Sequence, residues 1–336
     1  MSDKIELTKI PYSVLDLAPI TQGGTAAESF QHTFDLAQHA ESLGYHRFWL
    51  AEHHNMPGIA SSATAVLIGQ VAARTSTIRV GSGGIMLPNH SPLIIAEQFG
   101  TLESLFPNRI DLGLGRAPGT DQITMRAIRR DPHLTGDDFP EQLAELRGYF
   151  DATMKKQVRA FPGEGLDIPI WLLGSSGFSA RLSAQLGLPF AFASHFSPEN
   201  TLPALQLYYD YFQPSELLDE PYAMVGLNII AADTDEEAKR LSTSMQQQFL
   251  NMIRNQPTQL LPPVDDMDDL CTPYEKSILE KQLGGSIIGS PINVKEQLEV
   301  FLTKTQAKEI MINGQIYDHQ ARLRSFEIIS DIMKEK

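Results

Sequence analysis

Short apolar segments alternate with amphipathic segments along nearly the whole chain of 336 residues. Eight apolar segments have the length of β-strands. Their apolar residues are continuous rather than alternating, as in strands that are buried on both faces of a parallel sheet. These predicted strands are Tyr12–Ala18, Arg47–Ala51, Ile78–Gly83, Ile110–Gly115, Ile168–Leu173, Phe190–Ser194, Met224–Ala231 and Glu309–Ile312. Segments with helical periodicity follow them, from Ala26–Leu43 to His319–Met333.

Eight strand–helix units in a chain of this length predict an α/β fold, the (β/α)8 or TIM barrel. A doubly wound parallel sheet is the alternative, because the number of strands does not show that the sheet closes. We expect a single domain over residues 1–336. Two long insertions interrupt it, Arg116–Phe139 after the fourth strand and Arg254–Ile287 after the seventh helix. Long connections in compact domains are usually functional lids or disordered segments.

Charge and cysteine content exclude several classes of protein. The 41 acidic and 27 basic residues give a formal charge of −14, which argues against a general nucleic-acid-binding protein. The single cysteine cannot form an internal disulfide, and no apolar run approaches the roughly 20 residues that span a bilayer. The first residues lack the pattern of a signal peptide. We therefore expect a cytoplasmic protein with no membrane or nucleic-acid partner.

In (β/α)8 barrels, the loops that follow the strands build the active site. The second predicted strand leads into Glu52-His53-His54, and adjacent histidines suggest a metal site, general acid–base catalysis or a polar anchor. Their spacing matches no zinc pattern, so we predict no metal site. Gly83-Gly84 follow the third strand, where glycines either let a ligand approach the backbone or form a tight turn.

The loops after the fourth and fifth strands carry groups suited to an anionic ligand. Residues 113–119 superficially resemble a dinucleotide-binding fingerprint, but the third glycine is misplaced and Pro118 interrupts the segment where a helix should begin. We interpret Arg116 as a charged donor at the mouth of a pocket. Residues 175–179 form a hydroxyl-rich turn that opens a helix. Phosphate binding and ordinary serine N-capping are equally consistent with that turn.

The chain resembles the bacterial-luciferase-like flavin-dependent monooxygenases in three segments, YHRFWLAEHHN, VGSGGIMLPNHSPLIIAEQFGTLESLFPNRIDLGLGRAPG and PIWLLGSSGFSARLSAQLGLPFAFASHF. The resemblance runs from about Tyr12 to Met333 and implies a TIM barrel that binds FMN at the C-terminal ends of its strands. It implies a two-component enzyme in which a separate flavin reductase supplies reduced FMN by diffusion. Reaction with O2 then gives a C4a-peroxyflavin, which oxidises a small organic substrate. A homodimer through helices of the second and third units is also implied.

The resemblance assigns roles to individual residues. His53 matches the catalytic histidine that assists the flavin–oxygen chemistry. Gly83-Gly84 match the position where many members have a non-prolyl cis peptide. The implied cofactor-binding residues are Ala18, Glu52, His54, Gly83, Gly84, Arg116, Ser175, Ser176, Gly177 and Ser179.

The chain also departs from luciferase itself. Gly115 stands where the luciferase α chain has a reactive cysteine, and Ser194 and His195 stand near the position of a tryptophan, so we do not expect light emission. Two other functions fit the same scaffold, an F420-dependent dehydrogenase and a non-catalytic flavin-binding protein. The sequence has no obvious basic cluster for the longer acidic tail of F420, which favours FMN.

Overall fold

The computed structural model describes residues 5–117, 121–128, 136–154 and 156–335. The strands in this part of the chain are β1 (Tyr12–Asp16), β2 (Arg47–Leu50), β3 (Arg79–Ser82), β4 (Ile85–Met86), β5 (Ile110–Gly115), β6 (Ile170–Gly174), β7 (Phe190–Phe192), β8 (Ala223–Ala231), β9 (Ile287–Gly289) and β10 (Glu309–Asn313). The helices are α1 (Ala26–Ser42), α2 (Thr64–Ala72), α3 (Pro92–Leu105), α4 (Gln122–Ile128), α5 (Phe139–Phe150), α6 (Gly177–Leu186), α7 (Thr201–Tyr211), α8 (Asp235–Ile253), α9 (Pro273–Leu283), α10 (Pro291–Thr305) and α11 (His319–Lys334).

Eight of these strands close into a parallel barrel. Hydrogen-bonded neighbours follow the order β1, β2, β3, β5, β6, β7, β8 and β10, and β10 pairs again with β1. In the register, Leu15 of β1 lies beside Trp49 of β2, and Leu112 of β5 lies beside Ile170 of β6. This closure confirms the (β/α)8 prediction and excludes an open doubly wound sheet.

Burial on both faces explains the continuous apolar runs in the sequence. Every residue of β1, β2, β5 and β8 is buried, because side chains on one face fill the barrel and those on the other meet the helices. The first helix is fixed by a capping box, in which Thr25 and Glu28 exchange side-chain and backbone hydrogen bonds. No helix in the described ranges is long and apolar enough to cross a membrane.

The sequence prediction missed four described elements, namely α4, α9, β4 and β9. The segment that follows α8 is not one long loop, because it contains α9, whose Leu279 packs in an apolar cluster with residues of α8. A capping box between Thr272 and Glu275 starts α9, and this was an available sequence signal. Within the insertion after the fourth barrel strand, α4 is described, whereas Pro118 and Gly119 lie outside the described residues.

The interior of the barrel is layered along its axis. Near the strand starts, Asp111 accepts hydrogen bonds from Arg47 Nη1 and Arg79 Nη2, both at 2.7 Å, and Glu309 accepts one from Arg47 Nε at 3.1 Å. Trp49 Nε1 donates to Asp111 at 3.1 Å and joins this ionic layer to an apolar layer. The apolar layer contains Leu15, Leu17, Trp49, Ala51, Trp171, Ala191, Met224 and Met311. The space beyond it, at the C-terminal ends of the strands, is where barrels of this class place their ligands.

Candidate active site

A cavity of ≈ 290 Å³ lies at the C-terminal ends of the barrel strands. Its inner side is formed by the apolar layer, with Leu15, Trp49, Met224 and Met311 among the lining residues. Seven of the residues predicted from the sequence also line it, and these are Glu52, His53, Gly83, Arg116, Ser175, Ser176 and Ser179. The cavity therefore brings together the loops that follow the second to fifth barrel strands.

Glu52 anchors the loop that follows β2. Its buried carboxylate accepts hydrogen bonds from His54 Nε2 and His90 Nε2, both at 2.9 Å, and from the backbone N–H of Met86 at 3.0 Å. Burial alone would raise the pKa of Glu52, but the hydrogen bonds from His90, His54 and Met86 outweigh it and hold the pKa below its usual value. Glu52 is therefore a fixed anion that ties the loop after β2 to the loop after β3.

The two glycines after β3 lie in close contact with their surroundings. The Gly83–Gly84 peptide bond is cis, as the resemblance predicted. A Cβ atom on Gly84 would lie 2.7 Å from the backbone carbonyl oxygen of Gly113, so this position requires glycine. A Cβ atom on Gly83 would lie 2.7 Å from Leu15 Cδ1, so a larger residue would force the leucine side chain to shift. Gly83 also lines the cavity.

A serine-rich turn forms one end of the cavity. Ser176 is the N-cap residue of α6, its side chain makes no capping hydrogen bond, and both Ser175 and Ser176 are exposed. The N-terminus of a helix presents unpaired N–H groups and a partial positive charge, which together favour an anion. Ser179, one turn into α6, lines the same end and is buried. This end of the cavity has the donors that a phosphate group needs.

Arg116 lies at the same cavity and is held by an aromatic ring. Its guanidinium carbon is 4.2 Å from the ring centroid of Phe178, the second residue of α6. This distance is that of a cation–π contact, which positions the guanidinium while leaving its N–H groups available. The structure thus places one permanent positive charge beside the serine turn.

Two histidines, His53 and His195, also line the cavity. Burial, reinforced by the nearby His53, lowers the pKa of His195 to about 4, although the backbone of Gly226 acts in the opposite direction. His195 is therefore neutral near pH 7. Room for it comes from Gly226 in β8, because a Cβ there would lie 2.6 Å from His195 Nδ1.

Four residues predicted to bind the cofactor do not line the cavity, and these are Ala18, His54, Gly84 and Gly177. Ala18 is fully buried, with its N–H bonded to Asp16 at 3.1 Å. His54 is turned toward Glu52, and Gly177 is the first residue of α6. Their cofactor-binding roles stay predictions, and any such role of Gly177 would be through its backbone.

Sequence reasoning missed several residues of the site. His90 received no role, although it is a principal partner of Glu52. Gly226, Met224 and Met311 line the cavity but lie inside strands, where the sequence pattern shows only burial. The position of His90, shortly after the glycine-rich end of the third strand, was the sequence feature that could have indicated its role.

The model of the luciferase-like monooxygenase family matches residues 10–306. The chain belongs to this family. It is 64% identical to the Bacillus subtilis protein YvbT, covering 96% of this chain and 97% of the relative. It is 56% identical to a luciferase-like monooxygenase of Escherichia coli K12, covering 100% of this chain and 99% of the relative. The N-acetyl-S-alkylcysteine monooxygenase of Bacillus subtilis is 40% identical, covering 69% of this chain and 70% of the relative.

Solved structures of luciferase-like and related proteins share the barrel. Apo-MsnO8 superposes with a TM-score of 0.86 at 34% identity, covering 96% of this chain and 98% of that one. An FMN complex of the oxygenating constituent of 3,6-diketocamphane monooxygenase from Pseudomonas putida has a TM-score of 0.72 at 19% identity, covering 96% and 97%. An F420-dependent secondary alcohol dehydrogenase has a TM-score of 0.69 at 11% identity, covering 97% and 100%. The last two show likeness of fold alone.

Family membership and the names of the relatives support a flavin-type monooxygenase or oxidoreductase. Among the described residues, no group of three or more His, Cys, Asp or Glu side chains is arranged to hold a metal ion.

Proposed function

We propose that this luciferase-like protein is a two-component monooxygenase that uses reduced FMN and O2 to oxidise a small organic substrate. One observation carries the proposal. A single cavity is lined by a helix N-terminus with serine hydroxyls, by apolar walls and by two histidines. An FMN molecule has the matching parts, because it carries a phosphate at the end of a ribityl chain and a flat, largely apolar ring system.

The residues of the serine turn fit the phosphate of FMN. The backbone N–H groups at the start of α6 and the hydroxyls of Ser175, Ser176 and Ser179 would hold it, with Arg116 supplying a positive charge. The wall at Gly83 presents backbone rather than a side chain, as a flat ring needs for close approach. Bound in its reduced form, FMN supplies the electrons that activate O2.

The remaining residues protect and control this chemistry. Leu15, Trp49 and Met224 form apolar walls that exclude water from the reacting groups. The imidazole of His53 has two ring nitrogens, and the side chain can hold or deliver a proton at one of them. Glu52 stays ionised, because its pKa is lowered, and serves to hold the loop that carries His53.

The alternative cofactor is F420, which an alcohol dehydrogenase of the same fold uses. Arg116 is the only lysine or arginine among the described residues that line the cavity. A tail with several acidic groups would need more positive charge than this, so the charge of the site favours FMN. A non-catalytic flavin-binding protein remains the second alternative.

The proposal includes partners. A separate flavin reductase supplies reduced FMN by diffusion, so no stable complex with it is required. A homodimer through α2 and α3 is part of the proposal, and it is supported by the exposed apolar side chains of Val66, Ile94 and Leu105 on these helices. Neither nucleic acid nor a membrane is proposed as a partner, and the proposed location is the cytoplasm.

Replacing Ser176 with aspartate is expected to weaken binding of FMN by about 10- to 100-fold, the amount expected for loss of a charge-assisted hydrogen bond. Aspartate is a good N-cap residue, so α6 should stay folded, but its carboxylate would repel a phosphate. Affinity for oxidised FMN is measured by flavin fluorescence, and affinity for riboflavin, which lacks the phosphate, is measured in parallel.

Riboflavin is the matched control, and its affinity should be nearly the same in both proteins. Equal weakening of FMN and riboflavin would show that the serine turn does not bind the phosphate. Failure of the wild-type protein to bind FMN at all would remove the proposed function itself.

A further inference from the structure

A small chamber of ≈ 30 Å³ adjoins the main cavity. The two spaces share six wall residues, namely Leu15, Ala51, His53, Gly83, His195 and Phe196. Phe249 of α8 and the two amide side chains of Asn313 and Gln315 close the chamber. Asn313 is the last residue of β10, and Gln315 follows two residues later. The serine turn does not line the chamber. The chamber is therefore a separate recess that begins where the two histidines lie.

A chain of hydrogen bonds fixes the orientation of the Asn313 side chain. The backbone carbonyl of His195 can only accept, and it accepts a hydrogen bond from Asn228 Nδ2 at 3.3 Å. The other side-chain atom of Asn228, Oδ1, therefore faces Asn313 and accepts a hydrogen bond from Asn313 Nδ2 at 2.9 Å. The side-chain nitrogen of Asn313 therefore donates a hydrogen bond, whereas its side-chain oxygen is left without a described partner.

Two buried amide oxygens that border the chamber have no hydrogen-bond partner among the described residues, namely Asn313 Oδ1 and Gln315 Oε1. Both side chains are well shielded, since the residues are 3% and 5% exposed. Native proteins rarely leave buried acceptors unpaired, because the lost hydration is not replaced. At the edge of a cavity, the missing partner is a molecule that enters it, either water or a ligand.

We infer that this chamber is the subsite for the polar end of the substrate, and that it takes a neutral group that donates hydrogen bonds, such as an amide N–H or a hydroxyl. The inference rests on the proposed monooxygenase function, which places the substrate beside His53. Two amide oxygens would accept from the donor, and the rest of the substrate would extend along the apolar walls of the main cavity.

The fixed orientation of Asn313 disfavours a carboxylate at this position. A carboxylate accepts hydrogen bonds only, and it would face Asn313 Oδ1, which the bond to Asn228 holds toward the chamber. His195 would add no positive charge, because its pKa of about 4 makes it neutral near pH 7. The chamber thus discriminates by hydrogen-bond polarity rather than by charge attraction.

Three matched ligands test the inference, namely hexanamide, 2-heptanone and hexanoate. They share an alkyl chain and a carbonyl, but only the amide carries a neutral donor, and hexanoate is an anion. Their dissociation constants are measured by isothermal titration calorimetry with the full-length protein, both with and without saturating oxidised FMN. The quantity of interest is the preference for hexanamide over 2-heptanone, expressed as the ratio of their dissociation constants.

Two variants remove the acceptors. Gln315→Met keeps the size of the side chain and breaks no hydrogen bond described for this residue, whereas Asn313→Leu also removes the bond to Asn228. We expect the preference for the amide to fall by about tenfold in each variant, as for loss of one buried hydrogen bond. Phe249→Leu changes the shape of the chamber only, so it should shift both affinities together and keep the ratio.

An unchanged ratio in Gln315→Met would overturn the inference and would mean that the chamber holds water alone. Tightest binding of hexanoate by the wild type would overturn it as well. Because the titrations need neither O2 nor turnover, their outcome is distinct from that of the proposed function. A protein that failed to bind FMN but kept the amide preference would retain the chamber as a ligand site.

Discussion

Replacing His53 with alanine is expected to shorten, by about 10²-fold, the delay before oxidised FMN appears when the protein loaded with reduced FMN meets O2. The magnitude is that of a lost general acid–base group. His53 lines both the main cavity and the chamber, so its imidazole borders the space where the reaction is proposed to occur. Without it, proton delivery is uncontrolled and water fills the gap. Stopped-flow absorbance in the region of oxidised flavin measures the delay.

The controls separate this role from a structural one. Affinity for oxidised FMN should stay within about threefold, a change worth less than one ordinary hydrogen bond. His53→Gln keeps a hydrogen-bonding side chain but cannot titrate, so its delay should be nearly as short as that of the alanine variant. His39→Ala removes a histidine of α1 that pairs with Glu327 far from the cavity, and it should leave the delay unchanged. Equal delays in His53→Ala and the wild type would show that His53 has no such role.

Replacing Asp111 with alanine is expected to lower the free energy of unfolding by about 3–5 kcal/mol, the usual cost of removing one partner from a buried ion pair. Asp111 is fully buried and accepts hydrogen bonds from Arg47, Arg79 and Trp49 at 2.7–3.1 Å. Its loss leaves Arg47 with Glu309 as its remaining carboxylate and leaves the indole N–H of Trp49 unpaired. Urea unfolding followed by circular dichroism gives the change.

Two further variants set the scale. Asp111→Asn keeps the volume but places an uncharged amide, with its own N–H donors, against the two arginines, so it should also be strongly destabilising. Asp233→Ala breaks an exposed pair with Arg324 and should leave the unfolding midpoint nearly unchanged, because exposed pairs contribute little. If Asp111→Ala were as mild as Asp233→Ala, the ionic layer at the strand starts would not stabilise the barrel.

The barrel itself could be predicted from the sequence, because burial on both faces leaves a direct pattern. All nine residues of β8 are buried, and its apolar run is legible without any partner. The elements that were missed are short or lie in polar sequence. β4 has two residues, β9 has three, and α9 follows an acidic stretch, where only the capping box at Thr272 marks its start.

The site was less predictable, for a different physical reason. Residues at strand ends, such as His53 and Arg116, could be placed in the cavity because the ends of parallel strands meet on one face. The hydrogen-bond partners of Glu52 could not be predicted, because the sequence does not show which histidine lies within reach of its carboxylate. The chamber was harder still to predict. The side-chain oxygen of Asn313 is oriented by hydrogen bonds that link His195, Asn228 and Asn313, and these form only in the folded structure.

The central claim is that this barrel uses reduced FMN to activate O2 in a protected cavity. The most direct test mixes the wild-type protein, loaded anaerobically with reduced FMN, with oxygenated buffer and follows the return of the oxidised-flavin spectrum. We predict a delay at least about 10²-fold longer than for free reduced FMN, because the site lowers the rate at which water and protons end the reaction unproductively. Reoxidation as fast as that of free FMN, together with tight binding and reduction of F420 by an alcohol, would contradict the account.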